Sequence, residues 1–446
     1  MPSLLVRVTR SRERRSLLKS FRCFLRLGLR LYASPSTSQI HDLLLDLCRC
    51  RHFILGKELT MASVLGGCHS LGPLGIEMKK NIISEWWNMV ALNREQVLPI
   101  QTLLRWPPQP ELVPQPLLRM CPDNKYESSS RVGPVTVPDK HQGQHIVLRQ
   151  DLLQGALSHY IACLELVNRK LPFGISEVGT CFHTTQDGPD NNLHHTRTGE
   201  RTAASLCWFS SAKTTTVWHD YWLRHRLLWW RRFAHIPSGF SSSEHQDTEG
   251  AKTFVINYDF PWGKEPVETL CMMDDSVLAQ VHPGADTKLH GREGRKSVVP
   301  HLVWLNCDLD RGLLVYLSDA LSLRGKEPRR AVLKIHPSLA PMKVAVDLGK
   351  GPAVDLRLVC QGLLSEMRGS GISVWPGYLD TVQTPMEQLF TKYDEMGIMF
   401  TVLVSDVTLE SGLLQLRNRD TTIKETLHIS KLRSFLTQYI SAANKL

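Results

Sequence analysis

Acidic residues are nearly absent from the first thirty-two positions of this 446-residue chain, where Glu13 stands alone against nine cations running from Arg7 to Arg30. Leu4, Leu5, Leu17, Leu18, Phe21, Phe24, Leu25 and Leu27 alternate with those cations. A basic, acid-poor amphipathic leader of this kind is expected to direct mitochondrial import and to be removed, so residues 1–33 are read as a targeting segment. The ordinary alternative is a basic arm that stays attached and touches nucleic acid. The leader carries most of the formal net charge of +10, which leaves the remainder nearly balanced. Any polyanion contact must then come from local patches. Also missing is any run of about 18 apolar residues, so neither a membrane span nor a membrane partner is expected. The 11 cysteines are odd in number and include no C-x-x-C pair, and Cys48 and Cys50 are too close together for ordinary zinc spacing. Reduced thiols, no metal site and no cofactor are the expectation.

What is present reads as two α/β regions. Gly75 to Val90 has helical apolar periodicity through Ile76, Ile82, Ile83, Trp86, Trp87 and Val90. Residues 106–145 are rich in proline and serine and read as a loop or partly ordered insertion. A helix is expected from Asp151, whose carboxylate can cap it, to Lys170. Strands follow around Ile175–Phe182 and Ala203–Ser210, then a basic, tryptophan-rich helix from Trp218 to Phe233. Further strands are expected near Phe254–Tyr258 and Val298–Leu305, with a helix from Arg311 to about Leu321. The charged segment Arg324–Arg330 reads as a linker, after which strands and helices alternate as in an open α/β domain. In that region Leu413 to Ile429 reads as a hairpin, and Ser430 is expected to cap a last helix.

Three separated pieces carry a resemblance. "LLDLCRCRHF" with "VLGGCHSLGPLGIEMKKNIISEWWNMV" resembles the opening of glycyl-tRNA synthetases, where the turn Gly72-Pro73-Leu74-Gly75 leads into the motif 1 helix. "LAPMKVAV", "GISVWPG", "QLFTKYDEMGIMFTVLV" and "LQLRNRDT" resemble the anticodon-binding domain of the glycyl, threonyl and prolyl enzymes. The resemblance implies an α/β (α+β) chain. A class II synthetase-like antiparallel-sheet domain at 40–325 would carry the insertion, and an anticodon-binding-like mixed-sheet domain would occupy 331–446. It also implies a nucleotide site, and there the chain departs from the pattern. Motif 2, Phe-Arg-x-Glu in the family, is Phe182-His183-Thr184-Thr185 here. A neutral imidazole does not replace a bidentate cation on a phosphate, nor does Thr185 replace a carboxylate acceptor. In motif 3 Arg311 persists, but Asp308 stands where the family keeps a glycine, adding bulk and repulsion toward a triphosphate.

With the leader, and with Trp222–Arg232, Phe260–Glu265 and Lys288–Pro300, the chain is similar to the accessory subunits of mitochondrial DNA polymerase gamma. That family is non-enzymatic, and the resemblance implies binding to the polymerase catalytic subunit and to double-stranded and primer-template DNA in the mitochondrial matrix nucleoid. A homodimer is implied too, although residues 106–145 lack the helical periodicity of the dimerising insertion. The alternatives are a residual glycyl-tRNA synthetase and a tRNA- or RNA-binding module.

Candidate contacts follow from residue type. Lys288, Arg292, Arg295 and Lys296, with Gly291 and Gly294, suit a flexible loop along phosphates. Arg417, Arg419 and Lys424 lie at the expected hairpin and could meet nucleic acid or a partner. Leu413, Leu414 and the Phe435–Tyr439 face are candidates for the partner surface, with ordinary core packing as the alternative. Trp222, Trp229 and Trp230 sit at helical spacing and read as core rather than base-stacking residues. His194 and His195 have no ligand-like spacing around them and read as loop.

Overall fold

The computed structural model describes residues 37–56, 59–106, 119–120, 146–185, 197–246, 252–325, 330–380 and 384–443. The targeting segment, most of the insertion and His194 and His195 lie outside them. The first domain is built on a seven-stranded sheet. Its order is Val97–Pro99, Phe173–Thr185, Arg197–Ser210, His301–Asp308, Gly263–Met273, Lys252–Phe260 and Phe240–Gln246, all antiparallel except the first pair. Helices Thr215–Arg232 and Leu309–Ala320 pack against it, and helix Pro73–Trp87 packs on Leu309–Ala320. Pro73 at the first helical position costs no hydrogen bond, because that amide would have had no partner.

The tryptophan-rich helix is core, as its spacing predicts. Trp222 and Trp230 are fully buried with Trp208, Phe240 and Tyr316, and Trp230 stacks on Tyr316 at 5.8 Å. Truncating any of these rings to alanine would cost about 3–5 kcal/mol. Asp151 also acts as read, its Oδ1 accepting from the Leu153 amide at 2.9 Å. The helix behind it is shorter than the periodicity predicts: it breaks at His159 and ends at Leu166. Asn168 and Arg169 adopt positive φ, which no α-helix accommodates.

The second domain has a mixed five-stranded sheet, ordered Val374–Pro376, Val344–Leu348, Phe400–Val404, Leu413–Asn418 and Lys424–His428. The first two pairings are parallel and the last two antiparallel. Helices Ala353–Gly369, Met386–Glu395 and Ile429–Ala443 complete it. Ser430 does not cap the last helix. It lies one residue inside, and His428 Nδ1 accepts from its amide at 3.3 Å.

Two expected loops contain strand pairing. The ends of the insertion, Arg105–Trp106 and Ile146–Leu148, pair antiparallel, and Arg119–Met120 adds to Ile146–Leu148. Nearby, Arg149 Nη1 reaches Glu177 Oε1 at 2.7 Å in a buried pair. The expected linker Arg324–Arg330 closes a hairpin, Leu321–Arg324 against Arg330–Leu333. Ala331, Val332 and Leu333, just after the charged segment, are buried. The passage between the two sheets therefore lies further on, at 334–343.

Candidate functional site

Of the positions expected to have held a nucleotide, Asp308 and Arg311 line one cavity on the large sheet, and His183 lies near enough to feel both charges. The cavity, of about 90 Å³, is lined by Arg201, Glu268, Thr269, Asn306, Asp308 and Arg311 among others. Small-molecule sites usually enclose about 300–1,000 Å³. Three of the lining side chains are engaged within the fold, while Asn306 Oδ1 and Arg311 Nε are buried without a partner among the described residues. Asp308 caps the Leu309–Ala320 helix, its Oδ1 accepting from the Arg311 amide at 2.9 Å. Arg311 Nη1 donates to the Pro266 carbonyl at 2.9 Å and lies 3.8 Å from Glu265. Glu268 is fully buried, paired with Arg226 at 2.8 Å and accepting from Trp230 Nε1 at 2.6 Å.

His183 is half-buried on the strand Phe173–Thr185, and burial, assisted by the Arg201 charge, holds its pKa below the usual imidazole value. It is a neutral ring at neutral pH, unable to pair with a phosphate. Thr185 ends the same strand in register with Arg197. Above them the turn at Gly66 and Gly67 sits directly on Gly199, where a Cβ would fall 2.0 Å from the Gly66 carbonyl oxygen. Among the described residues, Arg311, the cation that persists in motif 3, is turned onto the Pro266 carbonyl and Glu265. Among the described residues no group of three or more His, Cys, Asp or Glu is placed to hold a metal.

The basic run is a braced hairpin rather than a flexible loop. Gly291–Glu293 pairs with Lys296–Val298, and Gly294 takes the tight turn at φ 59°. The Arg292 amide donates to the Arg169 carbonyl at 2.6 Å, the Leu171 amide donates to the Arg292 carbonyl at 2.9 Å, and Tyr160 Oη donates to the Leu289 carbonyl at 2.8 Å. Lys288, Arg292, Arg295 and Lys296 are all exposed and form no ion pair among the described residues. The pairing brings the exposed Lys170 beside them. Sequence reading missed Lys170 because only a bridge between residues 122 positions apart, Lys170 and Arg292, unites the two segments.

The C-terminal candidates separate. Arg417 and Arg419 are buried and already engaged, which removes them from the exposed set. Arg417 grips Asp394 through two hydrogen bonds of 2.7 and 2.9 Å and lies over Phe390. Arg419 donates to the carbonyls of Gly397 at 3.0 Å and Ile335 at 3.2 Å. Desolvation and geometry both favour such internal pairing of arginine over a solvated turn. Lys424 is exposed, 5.0 Å from the centre of the Phe390 ring. Leu414 is core, whereas Leu413 is 36% exposed. Phe435 and Tyr439 are half-buried against Phe400, at 5.5 and 4.8 Å between ring centres.

Comparison with known proteins accords with this geometry. The family model described as "Anticodon binding domain" matches residues 343–439. The chain is 53% identical over 416 residues to DNA polymerase subunit gamma-2, mitochondrial, of Xenopus laevis, covering 92% of this chain and 90% of that protein. It is 50% identical to DNA polymerase subunit gamma-2 of Bos taurus, covering 92% of this chain and 88% of that protein. A glycine--tRNA ligase of Mycolicibacterium paratuberculosis is 24% identical, over 90% of this chain and 98% of the ligase. With its synthetase-like scaffold, the chain belongs to the DNA polymerase gamma-2 subunit family, accessory subunits of a mitochondrial polymerase rather than aminoacyl-tRNA ligases.

Proposed function

We propose that this chain acts without catalysis of its own, binding the catalytic subunit of mitochondrial DNA polymerase gamma and strengthening its hold on primer-template DNA in the matrix nucleoid. What supports the reading is how the residues at the expected nucleotide positions are engaged: Asp308 caps a helix, Arg311 binds backbone, and burial keeps the half-buried His183 ring neutral. Adenylate formation needs phosphate charge held in the transition state, and losing one such donor costs about a hundredfold to a thousandfold in rate. Lys288, Arg292, Arg295 and Lys296, joined by Lys170, are the duplex-contacting set, because exposed cations on a braced turn can follow a phosphate backbone. Leu413, Phe435 and Tyr439, with Lys424 at the rim, are the partner-facing set, and a homodimer completes the assembly. Light scattering of the mature chain, alone and with the catalytic subunit, tests this. A stable complex and no amino-acid-dependent ATP–pyrophosphate exchange are expected. Separate elution of the two proteins would refute the partner, and exchange activity would restore the synthetase reading.

A further inference from the structure

The passage between the two sheets turns at 336–340, and its carbonyl groups take donors from both domains. Lys343 Nζ donates to the carbonyl oxygens of Pro337, of Ser338 at 3.0 Å and of Ala340 at 2.8 Å. Asn81 Nδ2, on the Pro73–Trp87 helix of the first domain, donates to the carbonyls of Leu339 at 3.3 Å and Ala340 at 3.0 Å. Four successive carbonyls are thereby satisfied from opposite sides. Ser338, Leu339 and Ala340 are buried, so water is a poor substitute for these donors. The turn does not supply them itself, since the Leu339 and Ala340 amides both donate back to the His336 carbonyl at 2.9 Å.

Lys343 is anchored in the second sheet. Its amide donates to the Ser373 carbonyl at 2.9 Å, and its carbonyl accepts from the Phe400 amide at 3.3 Å. Glu85, one helical turn beyond Asn81, faces the same amine, and Arg232 and His336 are the other charged or titratable groups around it. Burial pushes the Lys343 amine down to about 8, with Glu85 opposing the shift. That direction fits an ammonium whose water has been replaced by carbonyl oxygens. A separate cross-domain hold is Arg51 Nε to Glu395 Oε2 at 2.7 Å.

We propose that Asn81 and Lys343 form a clasp on the Pro337–Ala340 turn that sets the angle of the C-terminal domain on the synthetase-like body. Polymerase stimulation depends on that angle, whereas duplex binding by the Gly291–Val298 hairpin does not. The second half rests on the proposed function; the clasp itself does not.

Three measurements on the full mature chain test it: hydrogen exchange of the free protein, duplex binding, and primer extension with the catalytic subunit. Asn81→Ala removes two hydrogen bonds and keeps the buried charge, so it serves even where Lys343→Met fails to fold. Exchange at amides 338–344 is expected to quicken about tenfold in Asn81→Ala, the scale of two net hydrogen bonds. Stimulation should fall severalfold while duplex affinity stays within about twofold of the unmodified chain. Unchanged exchange in both variants overturns the clasp, and faster exchange with undiminished stimulation overturns its role. An unmodified chain that does not stimulate the polymerase sinks the proposed function and that role together, while exchange still judges the clasp.

Discussion

Arg226 shows how a cation on a basic helix can serve the interior alone. Its guanidinium is fully buried, pairs with Glu268 at 2.8 Å and lies 4.3 Å from the Trp229 ring centre. Replacing one partner of such a pair leaves the other charge desolvated, which costs about 3–5 kcal/mol, whereas replacing both with apolar groups can be nearly neutral. Arg226→Met should therefore destabilise the protein by about that amount. Arg226→Met with Glu268→Leu should recover much of the loss, read as the urea midpoint of each variant. Equal losses in the single and double variants would count against a compensated ion pair. Residue-level roles of this kind were the least legible in the sequence. The acid that meets Arg417 lies 23 positions upstream, and the one that meets Arg226 lies 42 positions downstream. No local pattern announces either, so Arg417 in the expected hairpin read as a candidate contact for nucleic acid or a partner.

Elements were more readable, because periodicity is a local property. The helix at Pro73–Trp87 follows from its apolar spacing, and Gly397, at φ 70°, stands just past the end of the helix Met386–Glu395. Strand pairing was harder to see. The charged stretch at Arg324–Arg330 has no apolar periodicity of its own, yet the strands on either side of it pair, and Ala331 to Leu333 after it are buried. The Gly291–Val298 hairpin is likewise held by backbone hydrogen bonds to Arg169 and Leu171 that spacing cannot forecast. Its bracing bears on function, since fixed cations lose less entropy on meeting a duplex than a loose loop does. Changing Arg292, Arg295 and Lys296 together to alanine should weaken duplex binding and flatten its salt dependence. The slope should fall by about 0.9 for each phosphate that is no longer neutralised, about three units at most. Thermal stability should hardly move, since all three side chains are exposed. Binding isotherms at several salt concentrations read this, and an unchanged slope would remove the hairpin from the interface.

At the scale of the whole molecule, the order of the two domains followed from resemblance, while their junction emerged only from the structure. Arg51 and Glu395, Asn81 with the carbonyls of Leu339 and Ala340, and a shared hydrophobic core tie the domains together. The measurement that bears most directly on this account is single-encounter primer extension by the polymerase gamma catalytic subunit on a long primed template, with excess trap DNA. Adding the mature chain at saturation should lengthen the products of one binding event several times over, whether or not ATP and glycine are present. Products of the same length with and without the chain would contradict the account.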